Sequence, residues 1–305
     1  MKKLMLFLAL CCAASCARAQ ALPEGEWALV NTSSVFMRAK ASYTSENVSQ
    51  SRMGTPVQVL ERSGYWRRIR TPEPYEGWVN ELTLAPMPKA YRSSPRYICT
   101  ADHSHILAAP SAGAAVLCDF SMGDIVMKGS GSCPEGWLKV VLADGREGWV
   151  EAKGVCDFKE LMNAPHKDFA ADLTAVARRF LGSPYMWGGM SSGLFDCSGL
   201  VGFCFFMNGI QLPRDASQQV NCGVEVPVEE MQAGDLVFFG ESRVAHVALC
   251  TGPGRIIHSS QIVRENSLSP GGPDPYTRKI LHVRRIIGNW KGTSKVADSP
   301  LYFGK

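Results

Sequence analysis

The sequence predicts an α+β protein in which two small β-barrels precede a domain that combines helices with an antiparallel sheet. Three observations lead to this prediction. The first half of the chain repeats a pattern of short alternating segments and tryptophans, helical spacing replaces it after Cys156, and apolar runs typical of strands return beyond residue 235. The chain has 305 residues, 46% of them hydrophobic, and this length predicts about two or three domains.

Residues 1–20 have the layout of a secretory signal peptide. Lysines precede an apolar stretch at residues 4–14, small residues follow, and we expect cleavage after Ala19 or Ala21. The stretch is too short to span a bilayer stably. Residues 13–16 (AASC) offer a lipoprotein anchor as the alternative, with Ala where a lipobox usually has Leu.

The charge of the chain excludes some partners. The formal net charge of +4 includes Lys2, Lys3 and Arg18 of the leader, so the mature chain has a net charge of 4 − 3, near +1. This balance predicts no nucleic-acid partner. We expect an exported monomer, periplasmic or extracellular at the cell envelope, without a stable membrane span.

Eight cysteines follow the leader. Export makes disulfides possible, and four cysteines that lie close along the chain have room for one or two bridges, although no spacing dictates a pairing. Cys204 and Cys250 lie in apolar runs and are expected to be buried thiols. These cysteines form no CxxC pair and have no zinc-ligand spacing, so we expect neither a metal nor a cofactor. The four clustered cysteines are Cys99, Cys118, Cys133 and Cys156.

An internal repeat occupies residues 21–88 and 89–158. In each copy a tryptophan-bearing segment follows a Gly turn, and a Gly-Trp-Val segment follows it, with the two tryptophans 12 positions apart. Short alternating runs predict strands, with Gly, Pro and Asn at the turns. Each copy is therefore predicted to form a small β-barrel, with most of the tryptophans in its core. The paired tryptophans are Trp66 and Trp78 in the first copy and Trp137 and Trp149 in the second.

Residues 159–305 are predicted to form one α+β domain. Apolar residues recur at helical spacing between Asp168 and Phe180, and a second helix is predicted to begin at Cys197. A cysteine-bearing helix packed on a histidine-bearing antiparallel sheet is the papain-like arrangement. The predicted strands lie at residues 235–239, 244–250, 255–258 and 280–286.

Cys197 is the candidate nucleophile for acyl transfer at an amide or ester carbonyl. At a helix start, unpaired backbone N–H groups and the helix dipole favour the thiolate. His246 heads one strand and His258 lies in the next, beyond a Gly-Pro-Gly turn, so antiparallel pairing would set the imidazoles side by side as base and orienter. On spacing alone, two such histidines are more often core or surface residues than a catalytic pair, so the flanking motifs decide.

Six ordered motifs resemble the NlpC/P60 family of peptidoglycan peptidases over about residues 165–290. The two barrels resemble bacterial SH3 (SH3b) domains, the first copy more closely than the second. The motifs are residues 181–189 (LGSPYMWGG), 195–200 (FDCSGL), 212–214 (LPR), 233–239 (AGDLVFF), 246–248 (HVA) and His258.

The resemblance implies catalytic roles. Cys197 would attack the scissile carbonyl, His246 would act as base and then protonate the leaving amine, and His258 would hold the tautomer of His246. Tyr185 would place a hydroxyl near the oxyanion, beside the backbone N–H of Cys197. For Tyr185 and Trp187, packing is as good a role as contact with substrate.

The order of domains resembles γ-D-glutamyl-L-diamino acid endopeptidases that require a free N-terminal L-Ala. The resemblance implies that Asp215 pairs with the ammonium of L-Ala and that a residue of the first SH3b domain closes the pocket. Tyr75 is the candidate for closure, with Glu46 as a weaker one, and Asp196 and Ser198 would bind D-Glu. A carboxylate in a closed site rejects acylated or glycan-linked ends, because its charge would be left unpaired.

Alternatives remain for this pocket. Asp215 also fits the N-cap of a helix that begins at Ala216, and Tyr75 fits an exposed turn. Ala216 stands where some relatives have Ser, which weakens that part of the resemblance.

The predicted function is therefore that of an exported cysteine endopeptidase acting on peptidoglycan stem peptides. It would cut the bond between γ-D-Glu and diaminopimelate or Lys in free murein peptides, in turnover or recycling. One alternative is an endopeptidase on intact, glycan-attached stem peptides, with SH3b domains as wall anchors. A non-catalytic wall-binding protein is a third possibility, against which the intact set of Cys197, His246 and His258 argues.

Overall fold

The computed structural model describes residues 25–191 and 193–304. The predicted signal peptide, its cleavage sites and the lipobox-like residues 13–16 lie outside the described residues. Within the described part of the chain, no helix has both the length and the apolar character needed to cross a bilayer.

The first barrel is a seven-stranded antiparallel sheet in the order β3-β2-β6-β5-β4-β1-β7. Its core consists of alternate strand residues such as Met37, Val59 and Ile69, all fully buried, because successive side chains of a strand point to opposite faces. The strands are β1 (Trp27–Val30), β2 (Ser34–Arg38), β3 (Asn47–Arg52), β4 (Pro56–Ser63), β5 (Trp66–Arg70), β6 (Glu76–Asn80) and β7 (Leu84–Pro86).

The second barrel repeats this topology strand for strand, in the order β10-β9-β13-β12-β11-β8-β14. The tryptophan repeat therefore reflects a repeated fold, and the prediction of two small barrels before an α+β domain is confirmed. The strands are β8 (Arg96–Cys99), β9 (His103–Leu107), β10 (Val116–Ser121), β11 (Ile125–Lys128), β12 (Trp137–Val141), β13 (Glu147–Glu151) and β14 (Val155–Asp157).

The third domain packs helices on a six-stranded antiparallel sheet in the order β18-β23-β19-β20-β21-β22. Its elements are α1 (Phe158–Met162), α2 (Phe169–Arg178), β15 (Met190–Ser191), β16 (Leu194–Phe195), α3 (Cys197–Met207), β17 (Ile210–Gln211), α4 (Ala216–Gln219), β18 (Val224–Glu225), β19 (Leu236–Gly240), β20 (Val244–Gly252), β21 (Arg255–Ser260), β22 (Ile262–Ser267), β23 (Ile280–Arg285), β24 (Ser294–Lys295) and α5 (Pro300–Phe303). The four predicted strands match β19, β20, β21 and β23, whereas β22 was not predicted.

Both predicted helices form where their local signals place them. Asp168 caps α2, its carboxylate accepting a 3.0 Å hydrogen bond from the backbone N–H of Ala171. Helix α3 begins at Cys197 as predicted, and every one of its residues is buried. A helix that is apolar all round lies inside a core, so α3 is the central helix of this domain.

The second barrel shares a hydrophobic core with the third domain. Ile98, Met122 and Ile125 of the barrel belong to the same buried cluster as α3. Arg52 of the first barrel lies over the ring of Phe206 in α3, with its guanidinium carbon 4.4 Å from the ring centroid. The three domains therefore pack as one body, and the first barrel can contribute to a site on the third.

All eight described cysteines are free thiols, including the four clustered in the second barrel. Cys99 lies in the barrel core and Cys133 is exposed, so they do not share an environment. The one or two disulfide bridges that the clustered cysteines could have formed are absent among the described residues. Cys204 and Cys250 are buried, as expected from the apolar runs that contain them.

Candidate active site

Cys197 is the first residue of α3, and a close backbone approach holds it there. The Asp196 carboxylate caps the helix by accepting a 2.7 Å hydrogen bond from the backbone N–H of Gly199. A Cβ at Gly199 would lie 1.9 Å from the carbonyl oxygen of Gly189, so no larger residue fits. The glycines of the motifs therefore let the loop that ends at Gly189 pass directly beside the nucleophile's helix.

Two buried imidazoles lie together on the neighbouring strands. β20 and β21 are antiparallel across the predicted turn, and the ring centroids of His246 and His258 are 4.9 Å apart. His246 Nε2 is 2.7 Å from His258 Nδ1, and His258 Nε2 is 2.7 Å from Asn266 Oδ1 on β22. The structure thus extends the predicted pair by a third polar group.

The hydrogen bonds of Asn266 assign the tautomers of both histidines. Its amide nitrogen donates to the carbonyl oxygen of Asp274 at 2.7 Å, which turns Oδ1 towards His258 as an acceptor. His258 therefore donates from Nε2 and accepts at Nδ1, and His246 donates from Nε2. This leaves the lone pair of His246 Nδ1 as the base.

Burial sets the resting protonation of the nucleophile and its base. Desolvation and, to a lesser extent, the charge of Asp196 raise the pKa of the Cys197 thiol to about 11, with the backbone N–H of Val247 opposing both. Desolvation lowers the pKa of His246 to about 3, and the adjoining His258 adds to this effect. The expectation of a thiolate favoured by the helix start is wrong for the free protein, because burial outweighs the backbone N–H groups.

Two tyrosines border this centre. Tyr276 stacks edge-on against His258, with ring centroids 4.6 Å apart, and lies 5.7 Å from the ring of His246. Burial raises the pKa of Tyr185, and the charge of the adjacent Cys197 thiolate would raise it further. The Tyr185 hydroxyl therefore stays protonated, as a hydrogen-bond donor to an oxyanion must.

A cavity of about 260 Å³ opens on Cys197 between the first barrel and the third domain. Every substrate-binding residue predicted from the sequence lies in its wall. Two of them come from the first barrel and five from the third domain, so distant segments meet as predicted. The set is Glu46, Tyr75, Tyr185, Trp187, Asp196, Ser198 and Asp215.

The side chains of Asp196 and Ser198 are engaged in a buried network at the cavity wall, and their contact with D-Glu stays a prediction. Asp196 accepts from Arg214 Nη2 at 2.6 Å and from the backbone N–H of Gly188 at 3.0 Å, in addition to its helix cap. Ser198 Oγ donates to Asp196 and accepts from Arg214 at 3.0 Å. Through these hydrogen bonds the Asp196 carboxylate positions the nucleophile's helix.

Asp215 and Tyr75 meet across the cavity. Burial raises the pKa of Asp215, and the nearby Arg214 guanidinium and Tyr75 hydroxyl oppose the shift. Tyr75 is half-buried and packs against the core of the first barrel, so it is not the exposed turn residue of the alternative. Asp215 also precedes α4 as its N-cap residue, which confirms the helix-cap alternative, and its contact with an ammonium stays a prediction.

Glu46 and Trp187 close the mouth of the cavity. The Trp187 indole N–H donates to Glu46 Oε1 at 2.8 Å, and the carbonyl oxygen of Trp187 accepts from the side-chain amide of Asn47 at 2.8 Å. The Trp187 ring is 61% exposed. Glu46 therefore ties the first barrel to the third domain, and the ring of Trp187 stays free for contact with a ligand.

Three residues of the site were missed by sequence reasoning. Arg214 stands in the quoted LPR motif, which was a signal that it carries a function, but its partner Asp196 lies 18 residues away. Asn266 lies on β22, a strand that was not predicted, and Tyr276 follows that strand; neither has a local sequence signature. Their roles depend on the pairing of β21 with β22, where His258 lies opposite Arg264.

Comparison with known proteins agrees with the sequence motifs. The model of the NlpC/P60 family matches residues 182–285, and the model of the bacterial SH3 domain matches residues 33–85. The gamma-D-glutamyl-L-lysine dipeptidyl-peptidase of Bacillus cereus (strain ATCC 10987 / NRS 248) is 28% identical over 271 residues, covering 84% of this chain and 80% of that protein.

A second relative and a solved structure extend this comparison. The gamma-D-glutamyl-L-lysine dipeptidyl-peptidase of Bacillus subtilis (strain 168) is 38% identical over 125 residues, covering 40% of this chain and 42% of that protein. The crystal structure of an NlpC/P60 family protein from Bacillus cereus ATCC 10987 superimposes with a TM-score of 0.73 at 24% identity, covering 86% of this chain and 99% of that one. This structural likeness confirms the fold.

Proposed function

Because the chain carries an NlpC/P60 domain and a bacterial SH3 domain, we propose that it cuts murein peptides with a free N-terminal L-Ala. The bond cleaved is the γ-D-glutamyl-L-diamino acid bond. One observation carries this proposal: the cavity has the thiol of Cys197 in its wall together with the paired Asp215 and Tyr75. The Bacillus relatives named as gamma-D-glutamyl-L-lysine dipeptidyl-peptidases support the same substrate.

The chemistry follows from the assigned tautomers. His246 Nδ1 takes the proton of the Cys197 thiol as sulfur attacks the γ-carbonyl carbon, and the oxyanion accepts from the Cys197 backbone N–H and the Tyr185 hydroxyl. His246 then gives its proton to the leaving amine of the diamino acid, which leaves a thioester on Cys197. Water attacks the thioester while His246 accepts its proton, and the dipeptide leaves with a free γ-carboxylate.

The pocket selects a free amine through charge. The ammonium of L-Ala would pair with the Asp215 carboxylate, which the hydroxyl of Tyr75 orients. Arg214 does not compete for Asp215, because its guanidinium is bound to Asp196 and to Ser49 Oγ at 2.9 Å. An acylated amine carries no charge and would leave a half-buried carboxylate unpaired, which lowers the affinity for blocked peptides.

The substrate places the proposed activity at the cell envelope. Peptidoglycan is assembled and broken down outside the cytoplasmic membrane, so we propose that residues 1–20 direct export, with lipoprotein anchoring at Cys16 as the alternative. The free peptides that the pocket selects are products of wall breakdown, which indicates a role in murein turnover or recycling.

The test compares L-Ala-γ-D-Glu-diaminopimelate with its N-acetylated form on the full chain. We expect kcat/KM to fall roughly 30-fold or more on acetylation, since an unpaired charge in such a site costs about 2 kcal/mol or more. Asp215→Asn should lower kcat/KM for the free peptide and reduce this discrimination, and Tyr75→Phe should raise KM roughly 2- to 10-fold through the lost hydrogen bond.

Two controls fix the interpretation. Cys197→Ala should abolish hydrolysis of both peptides, and Glu229→Gln, which removes an exposed carboxylate outside the cavity wall, should change neither. Equal cleavage of free and acetylated peptides would contradict the proposal that Asp215 selects a free amine. Comparable cleavage of intact sacculi would instead favour the endopeptidase on glycan-attached stem peptides.

A further inference from the structure

Two histidines and an aspartate lie together on the second barrel, away from the cavity that contains Cys197. His103 and His105 are two residues apart on β9, so strand alternation places both on the same face. Asp119 on β10 is the cross-strand partner of His105, which brings its carboxylate to that face as well. The hairpin therefore presents two imidazoles and one carboxylate on a single surface.

The three side chains are close enough to share one ion. A nitrogen of each imidazole and an oxygen of the carboxylate all lie within 4.8 Å of one another. His105 Nε2 is 3.5 Å from Asp119 Oδ1, and the two imidazole rings meet edge to face with centroids 4.8 Å apart. Ligand atoms on a tetrahedral zinc ion, at bond lengths of about 2.0–2.2 Å, lie about 3.3–3.6 Å apart. Small side-chain rotations would complete this geometry.

The surroundings leave room for such movement and for further ligands. His103 and Asp119 are exposed and His105 is half-buried, so all three can turn at little cost in packing. His103 and Asp119 also line a second cavity, of about 460 Å³, that is walled by residues of all three domains. Water or a small ligand can therefore reach the remaining coordination positions.

We propose that His103, His105 and Asp119 bind a divalent transition-metal ion, of which zinc is the best match. Zinc takes imidazole nitrogen and carboxylate oxygen readily, whereas calcium and magnesium prefer sites made of oxygen alone. β10 is an edge strand of its sheet, so the ion would cross-link this edge to β9. The site stabilises the second barrel and takes no part in the chemistry at Cys197.

The expectation of no metal from the sequence rested on cysteine spacing. His-Ser-His in a strand supplies only two ligands, and 13 residues separate His105 from the next aspartate in sequence, Asp119. Only the pairing of β9 with β10 brings the third ligand into place.

The experiment titrates the full chain with zinc and follows the imidazole signals of ¹⁵N-histidine-labelled protein by NMR, with equilibrium dialysis for the amount bound. The background is Cys133→Ser, Cys156→Ser and Cys197→Ala, because exposed and active-site thiols also bind zinc. We expect one zinc ion per chain, with the signals of His103 and His105 shifting. His103→Gln and Asp119→Asn should each weaken binding at least tenfold.

A matched control uses His282, which pairs with the single carboxylate of Glu225 at 2.8 Å. His282→Gln should bind zinc as the parent does. Zinc should also raise the melting temperature of the parent and of His282→Gln, but not that of Asp119→Asn. No binding by the parent, or equal binding by the parent and both site variants, would overturn the proposal. Because no readout uses hydrolysis, failure here is independent of the proposed function.

Discussion

His246, His258 and Asn266 form one hydrogen-bonded chain that ends at the free nitrogen of the base. Sequence motifs pointed to the two histidines, and the structure adds Asn266, whose amide is held by the carbonyl oxygen of Asp274. Without that amide the buried His258 ring would lose the acceptor that selects its tautomer. We infer that Asn266 is a positioning residue that acts on the base through His258.

Replacing Asn266 by Ala should lower kcat roughly 10- to 100-fold with little change in KM, a smaller loss than the about 10²–10⁴-fold that a general base contributes. Asn266→Asp restores the acceptor, and its negative charge should move the acid limb of the kcat–pH profile to higher pH. Steady-state kinetics against pH measure both effects. Asn163→Ala, at an exposed helix end, is the control, and unchanged kcat in Asn266→Ala would contradict the assignment.

Strands β20 and β21 carry the two imidazoles into the interior, and this couples stability to pH. Burial lowers the pKa of His258 to about 4 and that of His246 to about 3, from 6.5. Between these values and 6.5 the unfolded chain binds more protons than the folded chain, so stability rises with pH across this window. The stability that the two neutral, buried histidines contribute is complete above pH 6.5 and is lost as the pH falls towards 4.

We predict that the free energy of unfolding falls by on the order of 2 kcal/mol per buried histidine between pH 7 and pH 5. His258→Gln should remove one histidine's share of this fall, although its stability at pH 7 will differ from that of the parent. Urea unfolding at several pH values measures the slope, and only the slope is compared. His282→Gln, at an exposed site, should keep the parental slope; a parental slope in His258→Gln would refute the prediction.

The molecule as a whole places β3 of the first barrel against the loop that leads to Cys197. The side-chain oxygen of Gln50 accepts from the backbone N–H groups of Met190 and Ser191 at 2.9 and 3.2 Å, and from Ser191 Oγ at 2.9 Å. Arg52 adds a 3.0 Å hydrogen bond to the carbonyl oxygen of Met190. The first barrel is therefore part of the wall of the active site.

Gln50→Ala should destabilise the chain by about 1–3 kcal/mol, because two buried N–H groups lose their acceptor. It should also raise KM for the free murein peptide, since the same loop carries Trp187 at the mouth of the cavity. Thermal unfolding and steady-state kinetics measure the two effects. Gln232→Ala, at an exposed position, is the control. Parental KM and stability in Gln50→Ala would show that this docking contact does not support the site.

Many features of this protein can be predicted from local patterns in its sequence. The repeat predicted two barrels, helical spacing predicted α2 and the start of α3, and ordered motifs located Cys197 and both histidines. These features are recognisable because periodicity, turn residues and helix caps act between residues close in sequence.

Other features depend on contacts between residues far apart in sequence. Asp196 forms an ion pair with Arg214, and Asn266 forms a hydrogen bond with His258. Tyr75 of the first barrel lies close to Asp215 of the third domain. Cys197 was expected as a thiolate, but burial beneath packed elements raises its pKa and reverses that expectation. Desolvation and cross-strand or interdomain hydrogen bonds arise only when distant segments pack together, so local sequence signals do not report them.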